Sequence, residues 1–198
     1  MSAIVDYAKV LERMHALGLR CVYYNGGSFG FPAEEDVKIV GWLQGPDPTI
    51  RPGLGAVVTV PLPEENLGLM LEEVWQECLP GPAWVLPKAH WSFELGHGNG
   101  PWLRGTLAAI GIDPAALETR TDAAAIELPQ TRDADGDFNN FDLGFLATAL
   151  VEGLKTSDFA VLFPGHRHLV TLHHHRQIWW QTADAAFAKR LAGWWGER

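Results

Sequence analysis

Apolar side chains recur at helical spacing in several stretches of the chain. Near the N-terminus, Ser2 suits an N-cap, and apolar residues follow every three or four positions as far as Met14. We therefore predict a first helix that begins at Ser2 and ends at Gly18, since glycine commonly terminates helices. The same spacing predicts four further helices, over residues 67–78, 101–110, 143–154 and 185–195.

Short runs of β-branched and alternating residues between these helices predict strands. They cover residues 19–24, 57–62, 83–86, 90–95, 125–128, 159–163, 168–173 and 178–181. The stretch Val37–Gln44 fits a helix and a strand equally well. Because helices alternate with pairs of strands, we predict an α+β fold in which helices pack on a mostly antiparallel sheet.

Two regions of the sequence share the order helix, strand, histidine-containing strand, helix. Leu67-Gly68 matches Leu143-Gly144 at an offset of 76, and Val85-Leu86-Pro87 matches Leu162-Phe163-Pro164 at 77. One interpretation is an internal duplication into two α-β-β-α units, and the other is chance coincidence of short apolar motifs. Either way we expect one compact domain over 1–198, with 1–111 and 112–198 as candidate sub-lobes.

Composition narrows the class of protein. Of 198 residues, 47% are hydrophobic and 20% are charged, so the chain can bury a substantial core. No apolar run approaches the roughly 18 residues of a membrane span, and no signal peptide is evident. We therefore expect a soluble, cytoplasmic protein with no membrane partner. Cys21 and Cys78 are expected to be buried thiols, although a single disulfide between them stays open.

The charge of the chain is unevenly distributed. The net charge is −9 overall. Residues up to Asp142 hold nine basic and twenty acidic side chains, whereas those from Leu143 onward hold six and four. An acidic body repels phosphate backbones, so we expect no nucleic-acid partner. It favours a basic protein partner instead, because complementary potentials speed encounter.

Histidines are the main candidates for metal ligands. Five of the eight lie after Leu143, and His173 and His175 are two positions apart, which places both rings on one face of a strand. His168 is a further candidate ligand, but in an extended chain it would lie roughly 16 Å from His173, so all five histidines of this segment cannot share one ion. A zinc-like ion would need further ligands from His90, His97 or an acidic side chain. The alternative is that these histidines are solvated at strand ends.

Two candidates for catalytic residues follow from the sequence. If a metal is bound, Glu94 could act as the base beside a metal-activated water in a hydrolase. Ser28 lies in Gly26-Gly27-Ser28-Phe29-Gly30, which matches the G-x-S-x-G nucleophile motif. Only one helix and one strand precede it, so a plain glycine turn is the favoured interpretation.

A glycine-rich loop offers a weaker candidate. Gly98 lies in Gly96-His97-Gly98-Asn99-Gly100, just before a predicted helix whose first turn contains Arg104. Backbone N–H groups at a helix start and an arginine can bind an anion. A flexible loop is the favoured alternative.

The nine tryptophans include two doublets, Trp179-Trp180 and Trp194-Trp195. Both members of a doublet cannot point inward on a simple strand, so we expect one of each to be exposed or at an interface. The alternative is a core that a neighbouring lobe covers. Trp180 and Trp194 are therefore candidate ligand-binding residues, for a protein partner, a small molecule or self-association. The sequence favours a non-catalytic binding protein. The alternative is a divalent-metal-dependent hydrolase.

Overall fold

A computed structural model describes residues 2–23, 25–44, 57–62, 67–97 and 99–194 of the chain. Within these ranges it contains ten strands and seven helices. The strands are β1 (Ala3–Val5), β2 (Arg20–Cys21), β3 (Phe29–Gly30), β4 (Lys38–Gln44), β5 (Val57–Leu62), β6 (Ala83–Pro87), β7 (Ala125–Leu128), β8 (Phe159–Leu162), β9 (His168–His173) and β10 (Gln177–Thr182). The helices are α1 (Tyr7–Ala16), α2 (Leu67–Cys78), α3 (Trp91–Gly96), α4 (Gly100–Ala109), α5 (Ala115–Glu118), α6 (Asp142–Gly153) and α7 (Ala185–Gly193).

Eight of the strands form one sheet in the order β1-β7-β6-β8-β9-β10-β4-β5. Neighbouring strands are antiparallel except β4 and β5, which are parallel. The predicted α+β fold with a mostly antiparallel sheet is therefore confirmed. Strands from both sides of residue 111 are combined in this sheet, in which β8, β9 and β10 lie between β6 and β4, and β2 and β3 form a separate two-stranded sheet.

Side chains that alternate along the central strands build two cores. Val85 and Val161 belong to the larger core, together with α2, α4, α6 and α7. Their neighbours Trp84 and Leu162 belong to a smaller core with α1. Successive residues of a strand point to opposite faces, so the sheet is covered by helices on both sides.

The structure corrects the predicted start of the first helix and assigns the segment that was ambiguous between helix and strand. Residues 3–5 form β1, which pairs with β7, and α1 starts after Asp6 instead of at Ser2. Val37–Gln44, whose pattern fitted a helix and a strand equally well, forms strand β4 from Lys38 onward.

No helix among the described residues is long and apolar enough to cross a bilayer. Cys21 and Cys78 are not joined by a disulfide, and both are partly buried.

The predicted strand His90–Leu95 is wrong, because this segment is the N-cap and most of α3. The His90 ring accepts a hydrogen bond from the Phe93 backbone N–H, at 3.1 Å from Nδ1, and so caps the helix. Trp91, Glu94 and Leu95 are buried, which is the spacing of one helix face. The first of the two similar regions is thus α-β-α-α, and the duplication into α-β-β-α units is not confirmed.

Candidate functional site

Polar side chains gather at one end of the sheet, where three neighbouring strands begin or end. Strand β6 ends just before Lys88, β8 begins just after Asp158, and β9 ends at His173. These strands are adjacent and antiparallel, so the three residues meet at the same edge. We refer to Lys88, Glu94, Asp158, His173 and His174 as the sheet-end cluster.

Asp158 is the centre of the sheet-end cluster. Its Oδ1 accepts a hydrogen bond from His174 Nδ1 at 2.8 Å and one from the His174 backbone N–H at 3.2 Å. Lys88 Nζ lies 3.6 Å from Oδ2, and His173 Nε2 lies 3.8 Å from Oδ1. Burial raises the pKa of Asp158, but the His174 hydrogen bond and the charges of Lys88 and His173 outweigh it, so the net shift is downward. Asp158 is therefore ionised, and its carboxylate holds His174 by a hydrogen bond and attracts Lys88.

The pKa values of two basic members of the sheet-end cluster, Lys88 and His173, are lowered as well. Burial lowers the pKa of Lys88, and the nearby Asp158 carboxylate partly counters this. Burial also lowers the pKa of His173. The His173 and His174 rings stack with their centroids 4.3 Å apart. The charge that His174 would carry lowers the pKa of His173 further, because like charges at this distance repel each other.

Glu94 is fully buried beside Asp158. Its Oε2 accepts hydrogen bonds from Ser157 Oγ at 2.7 Å and Asn99 Nδ2 at 3.1 Å. Its Oε1 is buried with no hydrogen-bond partner among the described residues. Burial raises the pKa of Glu94, and the two hydrogen bonds and the charge of His90 act against that rise. A buried carboxyl with a raised pKa can exchange protons closer to neutrality than an exposed one.

Three members of the sheet-end cluster have the arrangement of metal ligands. One donor atom each from Asp158, His173 and His174 lie within 4.8 Å of one another. Two imidazoles and a carboxylate suit a divalent transition metal. In the present arrangement the His175 backbone N–H donates to His173 Nδ1 at 3.2 Å, which leaves the ring proton on Nε2. A metal at Nε2 therefore requires a shift in the turn after β9.

Of the five histidines predicted as metal ligands, the structure brings one into this group. His173 belongs to it, and His90 lies close enough to act on Glu94. His168 is at the opposite end of β9, where its ring stacks on Phe187 at 4.4 Å. The remaining two are exposed: His97 stacks on Phe93, and His175 lies in the turn after β9.

Sequence reasoning missed Lys88, Asp158 and His174 as site residues. Nothing in the local sequence marks Asp158, which follows a serine just before a strand. Its importance depends on the strand order β6-β8-β9, which periodicity does not reveal. One signal was available: His174 is the middle of three consecutive histidines at a strand end.

The remaining candidate residues lie elsewhere. Ser28 comes just before β3, and no histidine or carboxylate is hydrogen-bonded to its hydroxyl in the part of the chain that the structure describes. Arg104 is half exposed and its Nε donates to Glu118 at 2.6 Å. Gly98 lies outside the described residues. Catalysis by Ser28 and anion binding at Arg104 stay predictions.

The tryptophan doublet on β10 is buried on both faces of the sheet. Trp180 is 0% exposed and packs in the larger core against Phe163, while Trp179 covers Gly41 on the other face. The expectation that one of them is exposed is therefore wrong, because Trp180 packs in the larger core and Trp179 packs with Ile39 and Leu43 on the other face. Trp194 is also buried, in the larger core, and its neighbour Trp195 lies outside the described residues. Ligand binding by Trp180 or Trp194 stays a prediction, without the exposure on which it was based.

Exposed apolar side chains occur instead on the helical layer, between α2 and α6. Phe141, Phe145 and Leu69 are 55%, 50% and 40% exposed. They line an open groove of about 450 Å³, whose remaining wall consists of Glu72, Gly144, Thr148, Ala149 and Glu152. We refer to this surface as the helical groove. Contiguous exposed apolar residues commonly mark interaction surfaces.

Buried Glu72 of α2 forms a hydrogen bond with α6 and so links the two helices of the helical groove. Its carboxylate accepts a hydrogen bond from the Gly144 backbone N–H at 2.6 Å and another from Gln76 Nε2 at 2.6 Å. Burial raises the pKa of Glu72 to about 7, although both hydrogen bonds act to lower it. Glu72 thus satisfies an N–H at the start of α6 from the neighbouring helix.

No protein-family model, curated protein or solved structure matches this chain.

Proposed function

We propose that the chain is a binding protein whose helical groove takes a basic, amphipathic helix of a protein partner. The observation that carries this proposal is the cluster of Leu69, Phe141 and Phe145 at the groove. These account for three of the five large hydrophobic residues that are exposed among the described residues. A partner helix could bury these rings along its own apolar face, as in other helix-in-groove complexes.

The charge around the helical groove supports a basic partner. Neither α2 nor α6 contains a lysine or an arginine, whereas together they carry five acidic residues. These residues are Glu72, Glu73, Glu77, Asp142 and Glu152. A helix with lysines and arginines beside its apolar stripe would match both the shape and the sign of this surface, and an acidic helix would be repelled.

Binding of a designed peptide tests this proposal directly. The probe is a synthetic helix with leucines on one face and lysines on the other, and its control has glutamates in place of the lysines. We expect saturable binding of the lysine peptide alone, measured by fluorescence anisotropy, and a loss of about tenfold or more with Phe145→Ala. Tyr23→Ala is the matched control, because Tyr23 is 66% exposed and does not line the groove.

Equal binding of both peptides, or no effect of Phe145→Ala, would contradict the proposal. A dimer that Phe145→Ala converts to a monomer would also contradict it, since a second copy would then be the occupant. Light scattering on the wild type and the variant distinguishes this outcome.

A second candidate function is divalent-metal binding at Asp158, His173 and His174, with hydrolysis as the associated chemistry. The mutual distances within 4.8 Å support it. Lys88 approaches Oδ2 of Asp158, and an ion at Oδ1 would replace the hydrogen bond that Oδ1 accepts from His174 Nδ1. A bound ion would activate water, and buried Glu94 would accept the proton.

Zinc titration of the untagged protein by calorimetry tests this second candidate. We expect a one-to-one site that is lost in His173→Ala and kept in His15→Ala, because His15 is an exposed histidine on α1. Wild-type protein that binds no zinc, cobalt or manganese would reject the metal site. If metal binds but Glu94→Gln leaves metal-dependent cleavage of a chromogenic ester or phosphoester unchanged, only the role of Glu94 is rejected.

A further inference from the structure

The hairpin turn between β9 and β10 forms one wall of a small basic pocket. The pocket has a volume of about 270 Å³ and is lined by Lys155, His174, His175, Arg176 and Gln177. Two of these side chains are permanent cations and none is a carboxylate. This is unusual for a chain with 24 acidic and 15 basic residues. We refer to this site as the hairpin pocket.

The two cations of the hairpin pocket have no partner within the ranges that the structure describes. Lys155 and Arg176 form neither an ion pair nor a side-chain hydrogen bond there, and both are exposed. By contrast, Arg104, Arg120 and Arg167 each pair with a carboxylate. In an acidic protein, two unpaired cations beside one cavity produce a local positive potential that attracts anions.

The backbone at Arg176 is strained in a way that glycine would relieve. Arg176 has a φ of 59°, which lies in the left-handed region. It is the last of three residues that connect His173 to Gln177, which pair with each other in the sheet. Glycine is preferred at this position of a three-residue hairpin loop, and a side chain there costs about 1 kcal/mol. Arg176 thus occupies a position where glycine would give a more stable protein, which indicates a functional role for its guanidinium.

Gln177 supplies an oriented donor at the floor of the hairpin pocket. It is only 3% exposed, and its Oε1 accepts a hydrogen bond from Trp179 Nε1 at 2.8 Å. Since the indole N–H can only donate, this bond fixes which end of the amide is oxygen. The Nε2 group is left as a donor, and it has no hydrogen-bond partner within the described ranges.

We propose that the hairpin pocket binds a small oxyanion, and specifically the phosphate group of a small phosphomonoester. Arg176 offers a fork of N–H donors, Lys155 a point charge and Gln177 a neutral donor, a combination suited to several oxygens on one centre. The volume lies just below the range of about 300–1,000 Å³ of drug-sized ligand pockets, which limits the ligand to one small group. This site is independent of the helical groove, whose proposed ligand has the opposite charge.

Titration of the full chain with inorganic phosphate, followed by amide chemical shifts in NMR, tests the proposal. EDTA is present so that no metal contributes, and acetate at equal ionic strength is the control anion. We expect saturable shifts at residues 174–177 with phosphate and with phenyl phosphate, and smaller, non-saturating shifts with acetate. Phenyl phosphate distinguishes a phosphoester site from one that accepts only the free ion.

Arg176→Gly separates binding from stability. It removes the guanidinium and the strain together, so we expect affinity for phosphate to fall about tenfold or more while the melting temperature stays equal or rises. Lys155→Ala should weaken binding as well. Lys189→Ala should not, because Lys189 is an exposed cation on α7 outside the pocket.

Three results would overturn the proposal. These are shifts of equal size with acetate and phosphate, unchanged affinity in Arg176→Gly, and equal losses in Lys155→Ala and Lys189→Ala. The last would mean that phosphate responds to the overall charge of the protein alone. None of these results bears on peptide binding by the helical groove.

Discussion

Gly68 of α2 and Gly144 of α6 face each other where the two helices cross, and 76 residues separate them in the chain. A Cβ atom on Gly68 would lie 2.3 Å from the Gly144 carbonyl oxygen. Val85 of β6 and Val161 of β8, which are also 76 residues apart, pair directly in the sheet. The same separation in sequence thus joins a pair of helices and a pair of strands, and the helices are in close contact at the two glycines.

Gly68→Ala should destabilise the protein, whereas Gly105→Ala should stabilise it. A Cβ atom on Gly68 would lie 2.1 Å from Thr148 Oγ1, so the helices must move apart at a cost of about 1–3 kcal/mol. Gly105 lies inside α4 with nothing within 4 Å of its would-be Cβ. Alanine there should add about 0.5–1 kcal/mol, because it restricts the unfolded chain. Urea denaturation measures both, and the same sign in both variants would contradict the packing argument.

Glu72→Gln should change how the free energy of unfolding depends on pH. The pKa of Glu72 is about 7 in the folded protein and about 4.5 in the unfolded chain, so stability falls as pH rises from 4.5 to 7. The glutamine variant lacks this loss. Relative to wild type it should gain on the order of 1–3 kcal/mol across that window. Urea denaturation at several pH values checks this, and a constant difference would reject the buried ionisation of Glu72.

His168→Phe should reveal a slope of the opposite sign. Burial is the main cause that lowers the pKa of His168 from 6.5 to about 4, so the wild type loses stability as pH falls from 6.5 to 4. Phenylalanine keeps the stacking with Phe187 and cannot be protonated, so the variant should resist acid better than wild type. Between pH 4.5 and 6.5 the effects of Glu72 and His168 oppose each other in the wild type. The double variant tests this cancellation, because its pH profile should resemble that of the wild type in that window.

Trp180→Ala should destabilise the fold instead of acting only on ligand binding. Trp180 is fully buried and stacks on Phe163 with ring centroids 5.4 Å apart, so the cavity should cost about 3–5 kcal/mol. Tyr23→Ala, at a residue that is 66% exposed, should change stability by less than about 0.5 kcal/mol. Thermal denaturation measures both. An unchanged melting temperature in Trp180→Ala would contradict the core position of this ring.

Helices with a regular apolar stripe were predictable from the sequence, and so was the class of the fold. The spacing of Leu143, Leu146 and Leu150 places them on one face of a helix, and in α6 all three are buried. Residues 90–95 were mispredicted because a six-residue helix has too few turns for its period to be recognised. Its start depends on a histidine cap, whereas serine, threonine, aspartate and asparagine are the usual N-cap residues.

The sheet-end cluster was predictable only in part. His173 stood out because histidines are concentrated at one strand end. Asp158 and Lys88 are 70 residues apart in the chain and meet only because β6 and β8 pair. Periodicity reports which side of an element is buried and carries no information on which strands become neighbours.

The order of strands in the sheet has a consequence for synthesis of the chain. Strand β4 is joined to the rest of the sheet only through β10, which starts at Gln177. When the first 150 residues have emerged from the ribosome, β4 can pair with β5 but not yet with β10, which links it to the rest of the sheet. Among the described strands of the sheet, β8, β9 and β10 are translated after all the others. Strands β4 and β5 can therefore join the rest of the sheet only after β10 has emerged from the ribosome, long after they were themselves synthesised.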